Sequence, residues 1–174
     1  MDAFCDSMRK CIADKVFHTL SVEDAVDKFV TLLEQNGFKY VASDFDATMI
    51  EKHSGGCCHP KDVDLLSSVT SYFKAMGERL KRSPLKLVVV THSDDTRVRN
   101  HPVLISGSRM VAKALHFSNC TADIQKICAD FGVKLNEIII IDDDINNCRN
   151  AKKIGAAALH VLRRGFKLTE VELL

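Results

Sequence analysis

Residues 138–144 read I-I-I-I-D-D-D. Four isoleucines in succession make the clearest strand signal in the chain. An unbroken apolar run of this kind suits a strand buried on both faces, as in a parallel sheet covered by helices. Three carboxylates follow with no spacer. A buried strand that ends at once in acids delivers negative charge to one edge of a sheet.

The same arrangement recurs upstream. Residues 39–50 read K-Y-V-A-S-D-F-D-A-T-M-I, so a short strand at Tyr40–Ser43 leads into Asp44 and Asp46. Leu85–Val90 is apolar apart from Lys86 and ends in T-H-S-D. Helical segments lie between these runs. Residues 2–36 read as helical, with a weak capping box of Ser21 and Asp24, and Gly37 ends the run. Gly55, Gly56 and Pro60 mark residues 49–61 as a loop or small hairpin. Val63, Leu66, Val69, Phe73 and Met76 recur at helical spacing, which predicts one helix from Asp62 to about Lys81, with a break at Pro84. Residues 94–112 give little signal beyond a short strand at 103–106. A helix over 121–131 closes at Gly132; a helix over 145–154, Gly155, a strand of small residues over 156–161 and a polar C-terminal tail complete the chain.

Helix and strand therefore alternate, which predicts an α/β fold: a doubly wound parallel sheet with helices on both faces. The expected organisation is a single domain over 1–174, with residues 1–38 as an N-terminal helical extension and 39–174 as the catalytic core. In such sheets ligands bind beyond the carboxyl ends of the strands. Asp44 with Asp46, Thr91, and Asp142 with Asp143 all stand at such ends.

Composition narrows the function classes. Hydrophobic residues are 46% and charged residues 27%, ordinary for a soluble globular chain. A net charge of +1 gives no field that would draw the molecule to nucleic acid or membrane. No apolar run reaches the roughly 18 residues of a membrane span, and the start M-D-A-F-C-D-S-M-R-K lacks the apolar stretch of a signal peptide. A cytoplasmic location is expected. Seven cysteines at irregular spacing do not form a disulfide framework. Cys57, Cys58 and His59 have no second ligand pair at finger spacing, so a reduced loop is favoured over a zinc site there.

Carboxylates gathered at one edge repel. Two charges about 4 Å apart cost roughly 4 kcal/mol at an effective dielectric of 20. Either some stay protonated or a cation sits among them. An all-oxygen set suits magnesium, and magnesium suits phosphate chemistry. One carboxylate can then attack phosphorus, while a second, two residues on and on the same strand face, exchanges the proton.

At this point the residues resemble a known group. D-F-D-A-T is similar to the first motif of the haloacid dehalogenase-like (HAD) superfamily, V-V-V-T-H to its second and I-I-I-I-D-D-D-I-N-N to its fourth. K-A-L-H-F, with Lys113, His116 and Phe117, followed by D-D-D-x-x-N and Gly155, resembles the small capless, magnesium-dependent phosphatase branch. The resemblance covers about residues 39–165. It implies a phosphomonoester hydrolase working through an aspartyl-phosphate. Asp44 would be nucleophile and metal ligand. Asp46 would be general acid and base, with its carbonyl on the metal. Thr91 would hold a phosphoryl oxygen, and Lys113 would offset phosphoryl charge, with Lys126 and Lys134 as competitors. Asp142 and Asp143 would complete the Mg2+ site. Asn147 would pin the loop, while Asp144 reads as a helix N-terminal acid.

Ala47 departs from the pattern, since many members carry Gly there, and alanine disfavours a left-handed backbone. Residues 49–84 and 92–112 are the two places for a cap; the first is filled by a loop and helix, and the second is too short for a domain. The site is thus expected to be open and able to admit a bulky phosphorylated substrate, small molecule or protein. Lys52 and His53 would lie near the entrance. Arg97, Arg99, His101 and Arg109 read as solvated loop residues first and substrate contacts second. A receiver-like module is disfavoured by the order of its motifs. A catalytically weak or inactive binding or regulatory protein of the same fold is the alternative.

Overall fold

The structure is a computed structural model that describes residues 2–54, 57–58, 63–91, 105–115, 118–120 and 124–174. Strands β1 (Tyr40–Ser43), β3 (Lys86–Val90), β5 (Ser118–Cys120), β6 (Ile138–Asp142), β7 (Ala157–Val161) and β8 (Val171–Leu173) form one sheet in the order β5-β3-β1-β6-β7-β8. The first five pair in parallel, and β8 returns antiparallel to β7. The doubly wound parallel α/β architecture expected from the alternation is the one observed.

The two sheet faces separate by residue parity, as a period of two requires. Val41, Leu87, Val89, Ile139 and Ile141 bury against the side that carries α1 (Asp2–Ala13) and α2 (Val22–Gln35), with Phe4, Met8, Phe29 and Leu33. The helix α4 (Ser71–Leu80) adds Phe73 and Met76 to that side. Ala42, Val88, Ile138 and Ala158 face Ile127 of α6 (Ile124–Phe131) and Cys148 and Ala151 of α7 (Ile145–Lys153). The N-terminal helices are therefore part of the main core.

Several boundaries differ from the sequence expectation. Residues 2–36 form two helices joined by a 3-10 turn at Val16–His18, because Lys15 is left-handed at φ 52°. The helix expected over 62–81 is two, α3 (Val63–Ser67) and α4. Val69 pairs with Ile50 in an isolated antiparallel bridge, and Thr70 is extended and caps α4, its Oγ1 accepting the Phe73 N–H at 3.3 Å. The polar tail contains β8, which extends the sheet. Its V-E-L alternation is too short to register as a strand in sequence. β5 is also unmarked in sequence, since Ser118-Asn119-Cys120 carries no apolar run and lies at the sheet edge. The strand expected over 103–106 is seen as β4 (Ile105–Ser106). It pairs with β2 (Cys57–Cys58), so residues 49–61 hold no local hairpin among the described residues. Helix α5 (Gly107–Ala114) follows β4. No inserted cap domain occurs among the described residues, and none of their helices is long and apolar enough to cross a membrane.

Phe166, in the connection from β7 to β8, joins the core to the strand tips. Its fully buried ring meets Phe73 at 5.3 Å, Tyr72 at 6.0 Å and Phe29 at 6.3 Å between centroids. Its backbone N–H donates to the Thr48 carbonyl at 2.8 Å. Phe166→Ala is expected to lower unfolding stability by about 3 to 5 kcal/mol, read from urea denaturation. A loss below about 1 kcal/mol would mean that the cluster does not depend on this ring.

Candidate active site

The acids meet because β1 and β6 are neighbours in register, with Ser43 opposite Ile141. The Asp44 N–H continues the ladder by donating to the Ile141 carbonyl at 2.9 Å. Asp44 and Asp142 prolong the strand faces of Ala42 and Ile140, so both open onto the α6–α7 side. Asp44, Asp142 and Asp143 each offer a carboxylate oxygen, and these atoms lie within 4.8 Å of one another. A cleft of about 600 Å³ surrounds them, lined also by Asp46, His53, Gln125 and Asn147 and walled by apolar residues including Val90, Ile124 and Ile140.

Each acid has its own surroundings. Asp142 is 8% exposed. Its Oδ1 accepts the Asp144 N–H at 2.8 Å and its Oδ2 accepts from the Asn147 amide at 3.0 Å. Asp143 Oδ1 accepts the Thr48 hydroxyl at 3.2 Å. Asp46 Oδ1 accepts the Ser54 N–H at 2.8 Å, which ties this carboxylate to the loop at residues 51–54. Asp144 caps α7, accepting the Asn146 N–H at 2.8 Å. Burial first, and then the charge of Asp142, raises the Asp44 carboxyl to about 8. Burial raises Asp142 to about 6, against the pull of its two donors. Burial also pushes the Cys148 thiol to about 12, so this cysteine is a neutral packing group whose S–H points to the Asp142 and Leu159 carbonyls.

The turn Phe45–Met49 carries the first pair of acids around the tip. Ala47 stands at φ 59°, so the left-handed turn survives with alanine. Its N–H donates to the Lys52 carbonyl at 3.2 Å, and its carbonyl accepts the Gly165 N–H at 2.7 Å. Gly165 itself is at φ +82°, and an added Cβ would stand 2.7 Å from the Glu51 side chain.

Among the residues picked from sequence, Asp44, Asp46, Asp142, Asp143, Asp144, Asn147 and His53 line one cleft. Thr91 is buried directly after β3, and its neighbour Val90 lines the cleft. Lys113 is exposed in the last turn of α5 and is not among the residues lining the cleft. Arg109 is an exposed residue of the same helix. Arg97, Arg99, His101, His116, Phe117 and His59 fall outside the described residues, as does the side chain of Lys126. Sequence reasoning gave no role to Thr48, although it completes D-x-D-x-T, nor to His160, a lone histidine in a strand of small residues.

Hard carboxylate oxygens that converge with no counter-charge from the described lining residues fit a divalent cation of the magnesium type. Asp44, Asp142 and Asp143 would hold it.

No family model and no curated protein matches this sequence. Among solved structures, a chain described as a candidate HAD family hydrolase from Streptomyces avermitilis is 15% identical with a TM-score of 0.48, and the match covers 72% of this chain and 67% of that one.

The raised carboxyls set a pH dependence. An unfolded Asp44 loses its proton near 3.8, and the folded one near 8. Between these values the folded state holds a proton that the unfolded state has shed, so stability falls as pH rises. Asp142 adds to the fall up to about pH 6. In EDTA, the Tm of wild type is expected to drop from pH 5 to pH 8, Asp44→Asn to flatten most of that slope, and Mg2+ at pH 8 to restore the Tm. A mutant profile parallel to wild type would show that Asp44 is not the source.

Proposed function

We propose that this protein is a magnesium-dependent phosphomonoester hydrolase of the HAD type, acting through an aspartyl-phosphate on Asp44. The observation that carries this proposal is the convergence of Asp44, Asp142 and Asp143 within 4.8 Å, with Asp46 in the same cleft. When bound, the cation would neutralise the cluster and phosphoryl oxygens, allowing anion to approach anion.

Asp44, ionised, attacks phosphorus. The bond from phosphorus to the ester oxygen breaks as Asp46 gives that oxygen a proton, and the alcohol leaves. Asp46, now a carboxylate, takes a proton from water. That water attacks the phosphorus and returns Asp44 and inorganic phosphate. The Ser54 N–H holds one oxygen of the Asp46 carboxyl. Thr91 would donate to a phosphoryl oxygen. A lysine would offset phosphoryl charge; Lys113 is the choice from the motif, and Lys126 is the alternative on α6, the helix whose Ile124 and Gln125 line the cleft. The open cleft and its apolar wall suit an ester with a sizeable organic group, on a small molecule or a protein, and nucleic acid and membrane are not expected partners. A cytoplasmic location is part of this proposal. A non-catalytic binding protein on the same fold is the second proposal, favoured by the exposed place of Lys113 away from the cleft lining.

Hydrolysis of an aryl phosphate is the test. Wild type is expected to require Mg2+, Asp44→Asn to fall to background, and Asp46→Asn to lose roughly 10²–10⁴-fold in kcat. Of Lys113→Ala and Lys126→Ala, the one that removes the phosphoryl contact should lose about 100-fold or more. An Asp44→Asn enzyme as fast as wild type would end the proposal. A wild type inactive from pH 5 to 8 but able to bind phosphate esters would favour the binding protein.

A further inference from the structure

Strand β7 lies between β6 and β8, and its register places Asp142, His160 and Glu172 side by side in one row across the sheet. The His160 side chain is 18% exposed. Its Nε2 lies 3.1 Å from the carbonyl oxygen of Asp143. A carbonyl only accepts, so Nε2 carries the proton and donates. Nδ1 is buried and has no hydrogen-bond partner among the described residues; Glu172 Oε2 stands 3.7 Å away, beyond hydrogen-bond reach. The hydrogen bond of this ring therefore goes to Asp143.

Neither the sheet ladder nor the cap of α7 gives a donor to the carbonyl it reaches. The sheet ladder ends at Asp142 opposite His160, and Asp144 is already the cap of α7. Asp143 occupies the single step between strand and helix. Its carboxylate is held by the Thr48 hydroxyl and its peptide by His160. If the peptide turns, the carboxylate turns away from Asp44 and Asp142.

We propose that His160 is a positioning residue that fixes the Asp143 peptide, so that the Asp143 carboxylate faces Asp44 and Asp142 for cation binding. This rests on the assignment of Asp143 as a ligand. Partners of metal ligands typically govern 10–100-fold in affinity. His160 needs no contact with the substrate for this role.

The test is calorimetric titration of Mg2+ into wild type, His160→Phe and His160→Gln, with melting in EDTA alongside. His160→Phe keeps the ring volume without the donor; it should melt in EDTA within a few degrees of wild type and bind Mg2+ about 10–100-fold more weakly. His160→Gln restores a donor and should recover most of the loss. Equal Mg2+ affinity in wild type and His160→Phe overturns the proposal, as does an equal loss in Phe and Gln. A wild type that binds no divalent cation overturns the metal assignment itself, and the proposal with it. Should His160→Phe not fold, 15N NMR of the wild-type ring decides: a neutral imidazole protonated on Nε2 supports the bond, and one protonated on Nδ1 overturns it.

Discussion

Parallel pairing of β1 with β6 forces negative charge together. The two strands point the same way, and Ser43 sits opposite Ile141, so the residues that follow each strand arrive at the same height. At separations of 4.8 Å or less, each pair of ionised carboxylates repels by at least about 3 kcal/mol at an effective dielectric of 20. The sheet cannot relax this by sliding, because a one-residue slip would turn Val41 and Ile139 out of one core and Ala42 and Ile138 out of the other. The strain is relieved locally, by protons, by hydrogen-bond donors or by a cation. Much of the detail at the strand tips is explained by that need.

The donors are shared unevenly, and this differentiates the acids. Asp142 receives two, from the Asp144 backbone and the Asn147 amide. Its carboxyl is raised less than that of Asp44, where burial and the neighbouring acids outweigh the Phe45 N–H. Asp44 is thus the group whose ionisation depends most on a positive charge placed beside it. In the proposed reaction this would suit a nucleophile that becomes reactive once the site is loaded. Asp46 stands outside the three-acid cluster and is tied to the Ser54 N–H, which in the proposed reaction would suit a group that exchanges a proton with departing alcohol and arriving water.

The turn Phe45–Met49, which carries Asp46 onward from the tip of β1, is costly on its own. Ala47 holds a left-handed backbone that its Cβ disfavours, and such conformations persist only when the surroundings over-determine them. Here Lys52, Gly165 and Phe166 bond its backbone or that of Thr48. Phe166 in turn is seated among Phe29, Tyr72 and Phe73. The apolar core therefore supports the acid-bearing turn through the connection from β7 to β8, a segment that carries no catalytic side chain in the proposed reaction. This also explains why alanine serves where glycine is the more permissive residue: the turn is imposed by its partners, and the methyl is buried among them.

What the sequence made legible follows from how far each signal reaches along the chain. The apolar runs before Asp44, Thr91 and Asp142 report burial of their own strands, and sheet, parity and acid cluster all derive from that local information. The broken helix at Thr70 was hidden because Val63, Leu66, Val69, Phe73 and Met76 keep a helical rhythm across the break; only the pairing of Val69 with the distant Ile50 shows why the helix stops. β5 and β8 were hidden because edge strands three residues long need little apolar content. His160 was hidden for a stronger reason. Its meaning lies in the Asp143 carbonyl, a backbone atom 17 residues away that no side-chain pattern encodes. Residues that perform chemistry must be particular side chains, so they form motifs. A residue that holds a backbone atom in place needs only a donor at the right height, and it becomes visible when the strands are laid side by side.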